Sequence, residues 1–227
     1  MEIKTFIDNL NATNIYIVYD KIKKNCVIID PSNYKLIDDF IKHNELDIDY
    51  ILLTHEHFDH ILGVNELINK YNCSLVASEQ CNSRIVNSKT NLSSFSEVLL
   101  YFRNNCKQRS ISIDNEVKSY SCKPADITFV GDLTLFWNNH RIYICETPGH
   151  SKGSVSVVFN NKIVFSGDSL LKDLDVITRF PGGSAKEYNS ITLPFYESLS
   201  KNMIVYPGHG ESFVMREKLC VEVKIYE

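Results

Sequence analysis

Three of the seven histidines in this chain fall within a single stretch, Thr54-His55-Glu56-His57-Phe58-Asp59-His60. Imidazole and carboxylate are ligand groups for divalent cations, and their spacing here carries geometry. In extended backbone His55 and His57 point to the same side and can hold one ion between them. Asp59 and His60 come as the chain turns into a predicted helix, so they aim elsewhere and can serve a second ion near the first. The pattern suits a two-metal site.

Two imidazoles do not complete the coordination of an ion, so more ligands are expected from other loops. Three further apolar runs each lead into one: Arg141-Ile-Tyr-Ile-Cys145 into His150, Lys162-Ile-Val-Phe165 into Asp168, and Met203-Ile-Val-Tyr206 into His209. Tyr50-Ile-Leu-Leu53 leads into His55 in the same way. Taken singly, each of these residues reads as an ordinary polar group or a turn. Together with the four-ligand segment they read as a metal set presented from strand ends, where a rigid sheet holds catalytic groups well. His43, at the end of an amphipathic helix, and His140, in an Asn-Asn-His turn, follow no such strand and read as structural or exposed.

The elements that must position these groups alternate along the chain, which points to an α/β layered fold. Strands are expected over Asn14 to Tyr19 and Cys26 to Asp30 as a hairpin, then Ile48 to Leu53, Ser74 to Ala77, Ile127 to Val130, Arg141 to Cys145, Val155 to Phe159, Lys162 to Phe165 and Met203 to Tyr206. Helical periodicity covers Leu36 to Ile41, Leu62 to Tyr71, Phe95 to Cys106, and Ser184 to Ser200, the last interrupted by Pro194. From about 85 to 126 the periodicity weakens, and this part reads as a partly helical insertion in a single domain spanning 1–227. Its aromatic residues Phe95, Tyr101 and Phe102 either cover the site as a lid or pack against the body of the fold.

At 227 residues, 44% hydrophobic and 23% charged, the chain can bury a sizeable core. Its formal charge of −4 gives no support to a nucleic-acid binder, and its largest basic cluster is Arg103, Lys107 and Arg109. No apolar run is long enough to cross a membrane, and no export signal opens the sequence. The seven cysteines never pair as Cys-x-x-Cys, so they read as reduced thiols of a cytoplasmic protein.

The motifs Thr54 to His60, Thr147-Pro-Gly-His150 with Gly153-Ser154, Ser166-Gly-Asp168, Phe180-Pro-Gly-Gly183 and Tyr206-Pro-Gly-His209-Gly210 resemble those of the metallo-β-lactamase-fold hydrolases, within them the glyoxalase II-like branch. The resemblance runs from about Asn14 to Glu211. It implies a four-layer αβ/βα sandwich of two mixed sheets flanked by helices. It also implies His55, His57 and His150 on one metal, Asp59, His60 and His209 on the other, and Asp168 bridging both. Asp30 resembles the family's aspartate that supports the ligand loop from behind, with a strand-end or helix-cap role as the alternative.

Two ions sharing a water bring its ionisation toward neutral pH, so the expected nucleophile is a bridging hydroxide, oriented by Asp59 as the catalytic carboxylate. No dedicated acid for an amine leaving group is evident. The expected substrates are therefore small thioesters or lactone-type esters. Zinc is the expected metal, with iron or manganese as alternatives, since imidazole and carboxylate ligands suit all three. A mononuclear iron persulfide dioxygenase and a phosphodiesterase of the same fold are the competing readings, while the ligand set speaks against a β-lactamase. Three departures from glyoxalase II bear on recognition. The chain stops 18 residues after His209, so the basic extension that holds glutathione is not expected. Val176-Ile177-Thr178-Arg179 stands where short relatives often carry Gly-Arg-x-Asp, and Ser151-Lys152 stands where they often carry Thr-Pro.

Overall fold

A computed structural model describes residues 1–100 and 119–219 of the chain. The basic cluster Arg103, Lys107 and Arg109, the part of the expected 95–106 helix that holds Tyr101, Phe102 and Cys106, and Cys220 lie outside the described residues. Two six-stranded mixed sheets face one another. The first takes β1 (Glu2–Ile7), β2 (Asn14–Asp20), β3 (Asn25–Ile29), β4 (Asp47–Leu52), β5 (Ser74–Ser78) and β6 (Ile127–Phe129) in sequence order. The second takes β7 (Asp132–Trp137), β8 (His140–Glu146), β9 (Val155–Phe159), β10 (Ile163–Gly167), β11 (Ile204–Pro207) and β12 (Phe213–Val214), again in order.

Strand composition explains the layering. β2 and β3 are apolar on both faces because each face is covered. Ile15, Ile17, Cys26 and Ile28 pack outward under the helices α1 (Tyr34–Asn44), α3 (Val64–Lys70) and α4 (Glu79–Ile85), whereas Tyr16, Val18, Val27 and Ile29 pack inward. There they meet Ile142, Ile144, Val157, Phe159 and Phe165 of the second sheet. On the far face of that sheet, Val158, Val164 and Val205 pack with Tyr196 and Met215. The result is helix, sheet, sheet, helix: the αβ/βα sandwich.

Chain direction then places the site. β3, β4 and β5 run parallel, so their carboxyl ends share one edge. In the second sheet β8 and β10 are both antiparallel to β9, and β11 is parallel to β10, so these three strands also end together. Hydrogen bonds tie the two edges to each other: Asn14 N–H to the Gly208 carbonyl at 2.7 Å, Val155 N–H to the Thr54 carbonyl at 2.7 Å, and Tyr16 O–H to the Pro207 carbonyl at 2.6 Å.

Several expectations change. β1, β7 and β12 were not expected as strands, and α4 was not expected as a helix. The helix expected over 62–71 is α3, which starts only at Val64 and is set apart from the short α2 (Phe58–Ile61) before it, because Gly63 turns the chain against Pro31, whose carbonyl accepts the Gly63 N–H at 2.7 Å. A side chain at Gly63 would strike that carbonyl. Pro194 does not interrupt its helix. Ala185–Glu187 runs into a π-helical turn at Tyr188–Thr192 and on into Leu193–Ser198, with Leu193 N–H donating to the Tyr188 carbonyl, and Pro194 falls in the first turn of the last piece, where proline is tolerated. Among the described residues no helix is long and apolar enough to cross a membrane.

Candidate metal centre

Each segment singled out by its strand-to-loop pattern delivers its side chain to the shared edge. His55 and His57 follow β4, and His57 stands at the N-cap of α2, which carries Asp59 and His60. His150 follows β8, Asp168 is the first residue after β10, and His209 comes two residues after β11. All seven converge. His55, His57 and His150 form one group and Asp59, His60 and His209 another, with the ligand atoms of each group within 4.8 Å of one another. Asp168 reaches both groups, at 3.7 Å from His150 Nε2, 3.6 Å from His60 Nε2 and 3.4 Å from His209 Nε2. His43 is exposed, and His140 lies at the other end of β8 from His150, beside Asn160 and Trp137.

Hydrogen bonds on the outer ring nitrogens decide what the inner ones offer. His150 Nδ1 donates to the Ile177 carbonyl at 2.8 Å and His209 Nδ1 to the Ala12 carbonyl at 3.1 Å, so both rings turn an Nε2 lone pair inward. Thr54 gives its own hydroxyl proton to Asp30 Oδ2 at 2.6 Å, which leaves its oxygen to accept from His55 Nδ1 at 3.1 Å. His55 Nε2 and His150 Nε2 then stand 3.1 and 3.0 Å from His57 Nδ1. A tetrahedral ion with metal–nitrogen bonds of roughly 2.0–2.1 Å would hold its ligand nitrogens about 3.3 Å apart. The buried atoms His57 Nε2, His60 Nε2 and Asp168 Oδ1 have no hydrogen-bond partner. Buried polar atoms seldom stay unsatisfied, and for His60 Nε2 and Asp168 Oδ1 a cation is the ligand that suits both together. The residues present fit divalent ions.

Carboxylates frame the second group. Asp30, in left-handed backbone at φ 51°, accepts from Thr54 N–H at 2.8 Å and from His60 Nδ1 at 3.0 Å, and so fixes the His60 ring. It joins His60 to the start of the loop that follows β4. Asp59 Oδ2 accepts from the Asn11 amide and from Thr13 Oγ at 3.1 Å. Gly208 is required here, because a Cβ would collide with the Asp168 carboxylate and the His60 ring.

The titration pattern follows from this packing. Burial keeps His150 below its ordinary range, His55 well below it, and takes His57 down to about 3 with further opposition from His150. Burial also works against a charge on His60, but Asp59, Asp30 and Asp168 outweigh it and raise that ring to about 9. Burial would raise Asp59 and Asp168 in turn. The histidines override it, His60 foremost at Asp59 and His209 foremost at Asp168, and both acids stay ionised. The site therefore offers neutral imidazoles at His55, His57 and His150 and charged carboxylates at Asp59 and Asp168, the forms that bind metal, while the three carboxylates around His60 hold a proton on that ring that a cation would have to displace.

Some residues of this machinery carried no signal in the sequence. Asn11 and Thr13 come from the loop before β2, and Ile177 contributes only a carbonyl. Glu56, between the two ligand histidines, is fully buried; it accepts from Arg84 Nε at 2.5 Å and from Ser151 Oγ at 2.8 Å. Arg84 also donates to the Pro181 carbonyl at 2.9 Å.

A cavity of about 700 Å³ opens over the centre. Its wall is largely apolar, with Leu92, Leu99, Leu100, Leu171, Leu174 and Phe180, and its polar lining away from the ligands is Asn11, Asp175 and Arg179. Phe180 meets the rings of His57 and His150 edge-on. Of the aromatics considered for a lid, Phe95 is half exposed and is not part of this wall, while Leu99 and Leu100 from the same segment are.

The chain is similar to several known proteins. Hydroxyacylglutathione hydrolase of Pelagibacter ubique (strain HTCC1062) is 26% identical over 208 residues, covering 91% of this chain and 70% of that protein. A probable polyketide biosynthesis zinc-dependent hydrolase of Bacillus subtilis (strain 168), PksB, is 25% identical over 196 residues, covering 86% and 72%. The crystal structure of BLEG-1 B3 metallo-beta-lactamase superposes with a TM-score of 0.77 at 25% identity and covers 97% of each chain. Residues 8–209 match the family as a whole, and the chain belongs to the metallo-beta-lactamase superfamily.

Proposed function

We propose that this metallo-hydrolase holds two divalent ions and hydrolyses a small thioester or activated ester, as the glyoxalase II-like branch does. The observation that carries the reading is the convergence of seven His and Asp side chains beside one cavity, with His60 Nε2 and Asp168 Oδ1 buried and without a hydrogen-bond partner. His55, His57 and His150 would hold one ion, Asp59, His60 and His209 the other, and Asp168 would touch both. When bound, such ions supply Lewis acidity and a water that ionises near neutral pH, and zinc is the metal we propose, with iron or manganese suiting the same ligands.

The chain's own residues do the rest. Asp59, fixed by Asn11 and Thr13, orients the attacking water by accepting its proton in a hydrogen bond. Thr54, Ile177, Ala12 and Asp30 hold the imidazoles in one tautomer and one orientation. The apolar wall excludes bulk water from the reacting carbonyl. Among the described cysteines a nucleophile finds no support: burial pushes Cys122 and Cys145 up to about 12 and Cys81 well above its ordinary value. Beyond the His and Asp ligands, the described lining holds no Lys, Tyr, Cys or Glu to protonate a leaving amine. A thiolate or alkoxide leaves without that help, which favours thioesters and lactones over amides.

Elemental analysis of freshly purified protein, paired with a panel of thioesters, lactones, a phosphodiester and a chromogenic β-lactam, tests the reading. Two metal equivalents and hydrolysis of thioester or lactone are expected. One iron per chain with oxygen consumption on glutathione persulfide, or turnover confined to the phosphodiester or the β-lactam, would overturn it.

A further inference from the structure

Among the charged groups lining the cavity, Arg179 has no role in the metal centre. Its place is nonetheless closely defined. Two residues before it, the Ile177 carbonyl accepts from His150 Nδ1; one residue after it, Phe180 lies edge-on to His57 and His150 with ring centroids 5.7 and 6.0 Å away. The turn beyond is pinned by Gly183 N–H to the Phe180 carbonyl at 2.7 Å, by Arg84 to the Pro181 carbonyl, and by Ser184 N–H to the Gly149 carbonyl at 2.8 Å. The backbone of Arg179 is thus fixed beside the centre on both sides. Its side chain is exposed into the cavity, and among the described residues no carboxylate lies within ion-pairing distance of it.

Charge makes this placement informative. The four positive charges of two divalent ions would be balanced by Asp59, Asp168, Asp30 and a hydroxide, so Arg179 would find no spare counter-charge in the centre and is left to pair with an anionic group of the substrate. Asp175, the other charged residue of the lining, sits in a segment already served by a cation. Lys218 donates to the Lys172 and Leu174 carbonyls at 3.1 and 3.4 Å and feels the charges of Asp175 and Asp173. The described lining therefore presents one planar, permanently charged fork in the same cavity as the candidate ligands and the apolar wall.

We infer that Arg179 is the substrate-selecting residue of this cavity and that the substrate carries a carboxylate besides its scissile group, with its apolar part against the leucine wall. The inference rests on the hydrolase reading above and adds the substrate class to it. Guanidinium pairs bidentately with carboxylate, and a charge-assisted contact of this kind inside a partly dry cavity discriminates by about tenfold or more against a neutral isostere. The carboxylate can belong to the acyl part or to the departing thiol.

Paired substrates separate these cases. The glutaryl thioester of N-acetylcysteamine is compared with its terminal carboxamide, and the acetyl thioester of mercaptopropionate with the corresponding amide. For the wild-type protein, kcat/KM is expected to favour the carboxylate in one pair by about tenfold or more, chiefly through KM. In Arg179→Met that ratio falls toward one, and in Arg179→Lys, which keeps the charge but not the fork, it is intermediate. An equal ratio in wild type and Arg179→Met overturns the inference, even where both hydrolyse thioesters. A second readout does not depend on turnover: calorimetric titration with glutarate and with its monoamide. Glutarate binding weakened about tenfold in Arg179→Met supports the assignment; unchanged binding overturns it. If the metal-loaded wild type hydrolyses no ester or thioester, the hydrolase reading fails, and the glutarate titration alone decides on Arg179.

Discussion

The Glu56–Arg84 pair offers a sharp test of how the ligand loop is held. Glu56 stands between His55 and His57 with no exposed surface, and its two oxygens are taken by Arg84 and by Ser151, the neighbour of His150. Arg84 is 16% exposed, and it reaches across to the Pro181 carbonyl. Arg84→Met removes the positive partner and leaves a buried carboxylate with one hydroxyl donor. Breaking a buried ion pair from one side costs about 3–5 kcal/mol. The remaining Ser151 bond and the partial exposure of Arg84 place the expected loss near the lower end, at about 3 kcal/mol. Glu56→Gln/Arg84→Met removes both charges, so its loss should fall short of the sum of the single losses by about 2 kcal/mol. Urea unfolding in the presence of a chelator measures these values without a metal contribution. The Phe180-Pro-Gly-Gly183 turn also loses its anchor, so KM for a thioester should rise in Arg84→Met more than kcat falls. A single substitution within about 0.5 kcal/mol of wild type, or additive losses, would refute the argument that this pair carries buried charge.

Three further outcomes follow from the geometry. Asp30→Ala strips His60 Nδ1 and Thr54 of their acceptor, and competition against a chromophoric chelator should show metal affinity lowered about 10–100-fold with the fold retained by circular dichroism. Asp38, held by Lys70 at 2.6 Å, Lys42 at 2.9 Å and Tyr71 O–H at 2.5 Å, keeps a carboxyl far below the usual range, because these partners outweigh the cost of burying it. Its contribution is therefore present above the ordinary carboxylate pKa and lost as pH falls through the depressed folded-state value. Since both lysines are well exposed, Asp38→Asn should cost only about 1 kcal/mol at pH 7, with the gap to wild type narrowing below about pH 4 in urea titrations. Gly208→Ala places a methyl against Asp168 and His60, and elemental analysis should find the second metal equivalent reduced while the first remains.

How much of this was legible in the sequence depended on whether burial was two-sided. β2, β3 and β9 are covered on both faces, so unbroken apolar runs announced them, and the shorter apolar stretches of β4, β8, β10 and β11 let His55, His150, Asp168 and His209 be read as loop residues at strand ends. β7 alternates exposed and half-buried positions at a sheet edge, and β1 does much the same, so each resembled a polar connection. α4, Glu-Gln-Cys-Asn-Ser-Arg-Ile, buries only Cys81 and Ile85, too few positions for a helical period to show. The site divides along the same line. Its ligands are rare residue types in tight spacing, visible without any partner. The groups that hold them are common residues or bare carbonyls whose meaning lies in long-range contact: Asn11 with Asp59, Arg84 with Glu56, Ile177 with His150. Spacing along the chain cannot encode such contacts, because the two sheets bring them together only once their edges are joined. Arg179 belongs to both groups. Its departure from the Gly-Arg-x-Asp pattern was visible in the sequence, but that it faces the cavity without an acidic partner is a property of the fold.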